Sequence, residues 1–178
     1  MLKPLNTITR ACSALSLLAV TMGANAATTE HTHTRASVIE ITAQQGQNTA
    51  LADFLSVGAQ LVQDNEPDTL FWSALQTEDK NTFVIFDAFG SQAAQDAHFA
   101  GKIPKALSES AATLVKGGWN DGVLPNIHNA DIIASKVGKN TQESIKIATF
   151  IPLKAKPGQE QKLAELLEQG AQIVTTQE

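Results

Sequence analysis

Two residues near the middle of the sequence, His98 and Asp87, have side chains suited to proton transfer. An imidazole has an unperturbed pKa of about 6.5, so His98 can exchange a proton near neutral pH. A carboxylate such as Asp87 can orient an imidazole or a substrate hydroxyl. We therefore take His98 as a candidate general base and Asp87 as its partner. The structural alternatives are that His98 caps or packs a short helix and that Asp87 makes a hydrogen bond within the sheet.

Four aromatic residues are candidates for contacting an aromatic ligand: Trp72, Phe83, Phe89 and Trp119. Trp72 lies in a predicted strand, where it either stacks on a ligand or fills the core, as most buried tryptophans do. Trp119 follows a Gly-Gly pair in a predicted loop, where it either covers a pocket or anchors the loop.

The side chains of residues 83–89, which include Asp87, point alternately to the two faces of a predicted strand. One face contains Phe83, Ile85, Asp87 and Phe89, and the other contains Val84, Phe86 and Ala88. We expect the all-apolar face to pack on helices and the face with Asp87 to line the pocket.

Other kinds of site have no support in the sequence. No Gly-rich phosphate loop, HExxH, GxSxG or calcium-loop pattern occurs. The one cysteine, Cys12, lies in the N-terminal segment. His31 and His33 lie in a polar stretch, and two ligands there seldom make a metal site. We predict neither a metal nor a cofactor.

The N-terminal residues form a predicted signal peptide, residues 1–26. Lys3 and Arg10 precede an apolar stretch over residues 11–23, and Ala24-Asn25-Ala26 is a cleavage site. The apolar stretch is shorter than the roughly 20 residues that span a bilayer, so we expect cleavage after Ala26 and no span in the mature form. The product would be periplasmic or secreted, with a flexible N-terminus at residues 27–35.

Charge argues against nucleic acid as a partner. Loss of Lys3 and Arg10 lowers the 13 basic residues to 11, against 18 acidic ones, which gives a formal charge of −7. Phosphate binding requires clustered Lys and Arg side chains. We expect a small molecule instead.

Hydrophobic periodicity predicts the elements that must position these residues. The predicted strands cover residues 37–43, 69–76, 82–90 and 130–136, and the predicted helices cover residues 48–65, 91–99 and 103–115. This order is that of a ferredoxin-like split βαβ unit in an α+β fold.

The C-terminal part of the sequence repeats the beginning of this unit. With a shift of 112 residues, Gly46-Gln47 recurs as Gly158-Gln159, and the run Gly58-Ala59-Gln60 recurs at residues 170–172. We therefore predict a domain at residues 36–137, a linker at 138–143, and the first strand and helix of an incomplete second copy at 144–178. Without partner strands, a strand over residues 146–153 and a helix over 159–175 would be poorly ordered.

Residues 66–98 resemble the antibiotic biosynthesis monooxygenase family of dimeric α+β barrels. The resemblance rests on Glu66-Pro67-Asp68-Thr69-Leu70, on residues 83–89, and on Ala93-Ala94 and Ala97-His98. It implies that two domains pair their sheets, as a homo-oligomer or as a pseudo-dimer within one chain. It also implies a pocket between sheet and helices.

The resemblance implies oxidation of a quinol or phenolic molecule by dioxygen without metal or flavin. The substrate must then be deprotonated to an electron-rich anion in an apolar cavity. The alternative is a non-catalytic barrel that binds an apolar molecule or serves in assembly. Haem degradation ranks lower, because Ser108 stands where that branch has a His and the first strand lacks an Asn.

Overall fold

The computed structural model describes residues 34–137 and 145–177. The predicted signal peptide and the linker after residue 137 lie outside this part of the chain. The strands are β1 (Arg35–Thr42), β2 (Thr69–Gln76), β3 (Thr82–Phe89) and β4 (Ile127–Asp131). The helices are α1 (Asn48–Asn65), α2 (Gln92–Phe99), α3 (Lys102–Leu114), a π-helical turn (Gly118–Val123), a 3-10 turn (Leu124–Asn126) and α4 (Glu160–Gln177).

The four strands form one antiparallel sheet in the order β2-β3-β1-β4. The helices connect β1 to β2 and β3 to β4, as in a ferredoxin-like α+β fold. This confirms the predicted fold class. Periodicity set most boundaries correctly because the two longer helices of the domain, α1 and α3, each bury an apolar stripe, as α1 does with Leu51, Leu55 and Val62.

The last strand of the sheet begins earlier than the sequence indicates. Instead of residues 130–136, β4 covers Ile127–Asp131. Its end is fixed by its neighbour, because Asp131 lies opposite Arg35, the first residue of β1. His128, which precedes the predicted strand, therefore lies in β4 opposite Val38 and is exposed.

The core lies between the sheet and the helices, and β3 contributes the face opposite to the expected one. Phe83 and Ile85 pack in one buried cluster with Leu51 and Leu107 of the helices. The face that carries Asp87 therefore packs on the helices, and the expectation that the all-apolar face does so is wrong. The reason is that the pocket itself lies between the sheet and the helices, so one face of β3 can both line the pocket and pack on the helices.

The C-terminal segment has the predicted helix but not the predicted strand. Residues 145–153 form no strand, since no described strand pairs with them. Helix α4 has 18 residues, as α1 has, and the glycines that precede the two helices, Gly158 and Gly46, have φ of 73° and 76°. Duplication stays a prediction.

Candidate functional site

Three ionisable side chains meet where α1, α2 and β3 come together. Glu66 follows the last residue of α1, His98 lies in the last turn of α2, and Asp87 lies near the end of β3. We call this group the Glu66–His98–Asp87 triad.

Local sequence explains why Glu66 leaves its helix at this point. A residue before proline is disfavoured in the α conformation, and Pro67 follows Glu66 directly. Glu66 accordingly has φ −126° and ψ 73°, and its backbone N–H still donates to the carbonyl of Val62. The side chain is thus turned out of the helix, towards α2.

The start of α2 sets the position of His98. Ser91 caps the helix, because its Oγ accepts a hydrogen bond from the backbone N–H of Ala94 at 3.2 Å. The buried residues of α2 are Gln95 and His98, which are three positions apart and share a face. This face packs towards the sheet.

His98 lies between the two carboxylates. Its Nδ1 is 2.5 Å from Oε2 of Glu66, and its Nε2 is 3.3 Å from Oδ2 of Asp87. Thr69 also donates a hydrogen bond to Oε2 of Glu66, at 3.0 Å. Both ring nitrogens therefore face carboxylates, and neither is free to take a proton from a ligand directly.

Asp87 is the most deeply buried member of the triad. It is 0% exposed, and neither of its carboxylate oxygens has a hydrogen-bond partner among the described residues. The 3.3 Å contact with His98 is within ion-pair distance but does not have hydrogen-bond geometry. A buried carboxylate without a hydrogen bond is costly, and such groups recur at functional sites.

Burial raises the pKa of the Asp87 carboxyl above its ordinary value, and the nearby imidazole only partly offsets this. For His98, burial is the largest single effect and lowers the pKa. The contacts with the Asp87 and Glu66 carboxylates and their negative charges outweigh burial, so the pKa of His98 lies above its ordinary value. Both shifts favour a proton on the buried pair.

A small cavity of about 30 Å³ lies beside Asp87. We call it the Asp87 cavity. Its wall is almost entirely apolar, and its polar members include Asp87 and His98. The apolar wall includes Phe54, Phe99, Ile103, Leu107, Trp72 and Trp119. An apolar wall around one carboxylate resembles the surroundings of carboxylates that act as bases.

The structure brings most of the sequence-predicted residues together. Trp72 and Trp119 line the Asp87 cavity, and Trp119 lies in the π-helical turn rather than in a loop. The ring of Phe89 packs on the imidazole of His98 at a centroid distance of 5.4 Å. Phe83 is not at this cavity but lines a separate cleft between α1 and β2.

Sequence reasoning did not identify Glu66 as a site residue. Its position directly before Pro67, in the segment that carries the family resemblance, was the available signal. Gln95 was also not identified. It is 1% exposed, and its Nε2 lies 2.8 Å from Oγ of Ser37, the residue opposite Asp87 in the sheet.

The triad is not arranged as a metal centre. Within residues 34–137 and 145–177, no group of three or more His, Cys, Asp and Glu side chains converges on one point. The reason is that the carboxylates contact opposite nitrogens of one imidazole, so the ring separates them.

Nor does any helix in residues 34–137 or 145–177 have the length and apolar character needed to cross a membrane.

No family model and no curated protein matches the chain. Among solved structures, the NE2512 protein of unknown function from Nitrosomonas europaea is 34% identical and has a TM-score of 0.54. The match covers 62% of this chain and 99% of that protein.

Two candidate antibiotic biosynthesis monooxygenases are more distant. The protein from Bacteroides thetaiotaomicron is 17% identical, with a TM-score of 0.46, over 62% of this chain and 95% of its own. The protein from Chloroflexus aurantiacus is 15% identical, with a TM-score of 0.46, over 58% of this chain and 97% of its own. The chain belongs to the same family as the Nitrosomonas europaea protein, and its fold is of the ferredoxin-like α+β type.

Proposed function

We propose that the chain is a monooxygenase that oxidises a quinol or phenolic small molecule with dioxygen, without metal or flavin. The observation that carries the proposal is the unpaired carboxylate of Asp87 in an apolar cavity, with His98 behind it. A substrate hydroxyl placed in this cavity would supply the hydrogen bond that Asp87 lacks among its described neighbours.

The first step is proton removal from the substrate. The substrate O–H bond breaks, the proton goes to Asp87, and the electron pair stays on the substrate oxygen. Burial makes an ionised Asp87 a stronger base than a carboxylate in water. The substrate then supplies the four electrons that reduce dioxygen. A ring C–H bond breaks as a C–O bond forms to one oxygen atom, the hydroquinol becomes a hydroxyquinone, and the other oxygen atom leaves as water with two protons from the substrate.

Access to the cavity sets a condition on the proposal. A cavity of about 30 Å³ holds a hydroxyl group but not an aromatic ring, and typical ligand pockets measure about 300–1,000 Å³. A ring must therefore displace part of the wall. The π-helical turn is suited to this movement because Trp119 follows Gly117 and Gly118, which have positive φ of 83° and 62°.

The proposal includes export and pairing of domains. The signal pattern of Lys3, Arg10 and the cleavage site at Ala26 supports a periplasmic or secreted location. Pairing as a homo-oligomer, or as a pseudo-dimer within a longer chain, would use the sheet face that lies away from the helices. On that face Phe71 and Phe86 are in contact, with ring centroids 5.7 Å apart, and both are only half-buried.

Oxygen uptake with 1,4-naphthohydroquinone in the presence of a chelator tests the proposal. We expect uptake above autoxidation, and Asp87→Asn should lower the turnover rate about 10²–10⁴-fold, the usual contribution of a general base. Asp96→Asn is the matched control, because Asp96 is an exposed carboxylate on α2 outside the cavity. No uptake above autoxidation, or equal loss in both variants, would contradict the proposal.

A second function is favoured by one observation. Both nitrogens of His98 are already held by carboxylates, as they would be if the triad only tied α1, α2 and β3 together. In that case the chain is a non-catalytic barrel that binds an apolar molecule or serves in assembly. Binding of the naphthohydroquinone without turnover, unchanged in Asp87→Asn, would support this reading.

A further inference from the structure

Glu66 gives the buried triad an opening to the outside. Asp87 is 0% exposed, whereas the Glu66 side chain is 16% exposed. Glu66 lines a second, larger depression of about 610 Å³, which we call the outer cleft. The outer cleft is formed by the end of α1, the edge strand β2 and residues 145–148. Asp87 is not among its lining residues, and Glu66 is not among those of the Asp87 cavity.

The His98 side chain contacts both carboxylates of the triad. Its Nε2 faces Asp87 at 3.3 Å and its Nδ1 faces Glu66 at 2.5 Å. An imidazole can accept a proton at one nitrogen and release another from the second nitrogen without rotating. The three groups thus lead from Asp87 at the Asp87 cavity, through His98, to Glu66 at the outer cleft.

We propose that Glu66, His98 and Asp87 form a proton relay between the Asp87 cavity and solvent in the outer cleft, with Glu66 as the outer end. The relay itself stands on the geometry of the triad. Its use in oxygenation rests on the proposed function.

Each transfer conserves protons and involves no oxidation or reduction. The transfer starts from neutral His98 with its proton on Nδ1. The O–H bond of a protonated Asp87 breaks as an N–H bond forms at Nε2 of His98, which gives an imidazolium. The Nδ1–H bond then breaks as an O–H bond forms at Glu66, and Glu66 releases this proton to water in the outer cleft. The raised pKa of His98 favours the imidazolium through which the transfer passes.

The ring ends an outward transfer in the opposite tautomer from the one in which it began. Because the two carboxylates hold both ring nitrogens, the ring does not rotate back to its first tautomer. A proton must therefore pass inward through His98 before another proton can leave. The relay therefore alternates one proton out with one proton in. This suits a reaction that first removes a proton from its substrate and later returns one.

The structure also identifies which charges govern the relay. The charges that act on His98 are those of Asp87 on β3 and Glu66 at the end of α1. No charged group of α3 or of the π-helical turn contributes to its pKa. Replacing Glu66 by Gln keeps an acceptor for Nδ1–H but removes the ability to take the proton.

Exchange of the His98 ring protons with water tests the relay without any substrate. In the ¹⁵N-histidine-labelled chain, we expect the Nε2 and Nδ1 protons to exchange at linked rates, although Nε2 faces the fully buried Asp87. Glu66→Gln should slow the exchange of the Nε2 proton by about tenfold or more, because exchange must then wait for local opening. Asp64→Asn removes an exposed carboxylate from the same helix end and should leave both rates unchanged.

Two results would overturn the relay. One is an Nε2 exchange rate that does not change in Glu66→Gln. The other is rapid exchange of the Nδ1 proton together with much slower exchange of the Nε2 proton in the unsubstituted chain. This second result does not depend on whether Glu66→Gln folds. The relay fails by these results, whereas the proposed oxygenase fails by absence of oxygen uptake, so the two failures are distinguishable.

Discussion

Replacing His98 by Ala should strongly destabilise the fold, because it leaves two carboxylates facing each other without a cation between them. His98 is 5% exposed and contacts both Glu66 and Asp87. Of the two, Asp87 has the greater effect, since it is fully buried and has no hydrogen-bond partner among the described residues.

The magnitude has two parts. Removing one partner of a buried ion pair costs about 3–5 kcal/mol. The imidazole also packs on Phe89 and Phe99 with centroid distances of 5.4 Å each, and an aromatic pair contributes about 0.5–1.5 kcal/mol. We expect His98→Ala to lower the free energy of unfolding by about 4 kcal/mol or more, against a total of about 5–15 kcal/mol for a typical domain.

Urea unfolding followed by tryptophan fluorescence measures this change, because Trp72 and Trp119 both line the Asp87 cavity. The loss should depend on pH. The imidazole lowers the pKa of Asp87, so this pKa rises further when the imidazole is removed. The folded state then binds more protons than the unfolded state above about pH 4, so the stability of His98→Ala should recover as the pH falls from about 7 to about 5.

A second substitution separates the charge from the packing. Adding Asp87→Asn to His98→Ala removes the stranded charge and should restore about 2 kcal/mol at neutral pH. A double variant no more stable than His98→Ala, together with no recovery in acid, would refute the reasoning and leave lost packing as the whole effect.

Three further changes have outcomes that follow from the structure. The unsubstituted chain should lose stability as the pH rises from about 6 to about 9, since the contribution of His98 is present below about pH 6.5 and is lost through its raised folded pKa. Urea midpoints at the two pH values check this, and equal midpoints would contradict it. Asp79→Asn should lower the melting temperature at neutral pH, because hydrogen bonds from the backbone N–H of Thr82 and Asn81 hold the pKa of Asp79 well below its usual range. The effect of Asp79→Asn should shrink below about pH 4 in calorimetry, because that stabilisation is lost as the pH falls. Gly122→Ala should destabilise the π-helical turn by about 1–3 kcal/mol or more in urea unfolding, because an added Cβ would lie 2.2 Å from a backbone carbonyl oxygen.

Gly170→Ala is the control for the glycine substitution. Gly170 lies in α4, and an added Cβ meets no atom within 4 Å. Since Ala is a better helix former than Gly by about 1 kcal/mol, this change should leave the urea midpoint unchanged or raise it. Similar losses at Gly122 and Gly170 would show that the close approach is not the cause.

Most elements of the sheet and its helices could be predicted from sequence because hydrophobic periodicity and strand-favouring composition are local signals. Helix α1 was predicted over residues 48–65 and strand β2 over residues 69–76, and the structure has the same bounds. The end of β4 could not be predicted, because it depends on where β1 begins and not on the composition of β4 itself.

The site was predicted only in part. His98 and Asp87 were identified because their side chains suit proton transfer. Glu66 lies 32 positions before His98, and their contact depends on how the fold places the end of α1 beside the end of α2. The orientation of β3 was assigned wrongly for a similar reason. A strand whose two faces are both largely apolar does not itself indicate which face meets the helices.

Mass spectrometry of the product formed under ¹⁸O-labelled dioxygen tests the central claim most directly. With 1,4-naphthohydroquinone and chelator present, we expect one labelled oxygen atom in the product and the second in water, with the labelled product lost in Asp87→Asn. Product without label, or labelled product formed equally by Asp87→Asn, would contradict oxygenation at the Asp87 cavity.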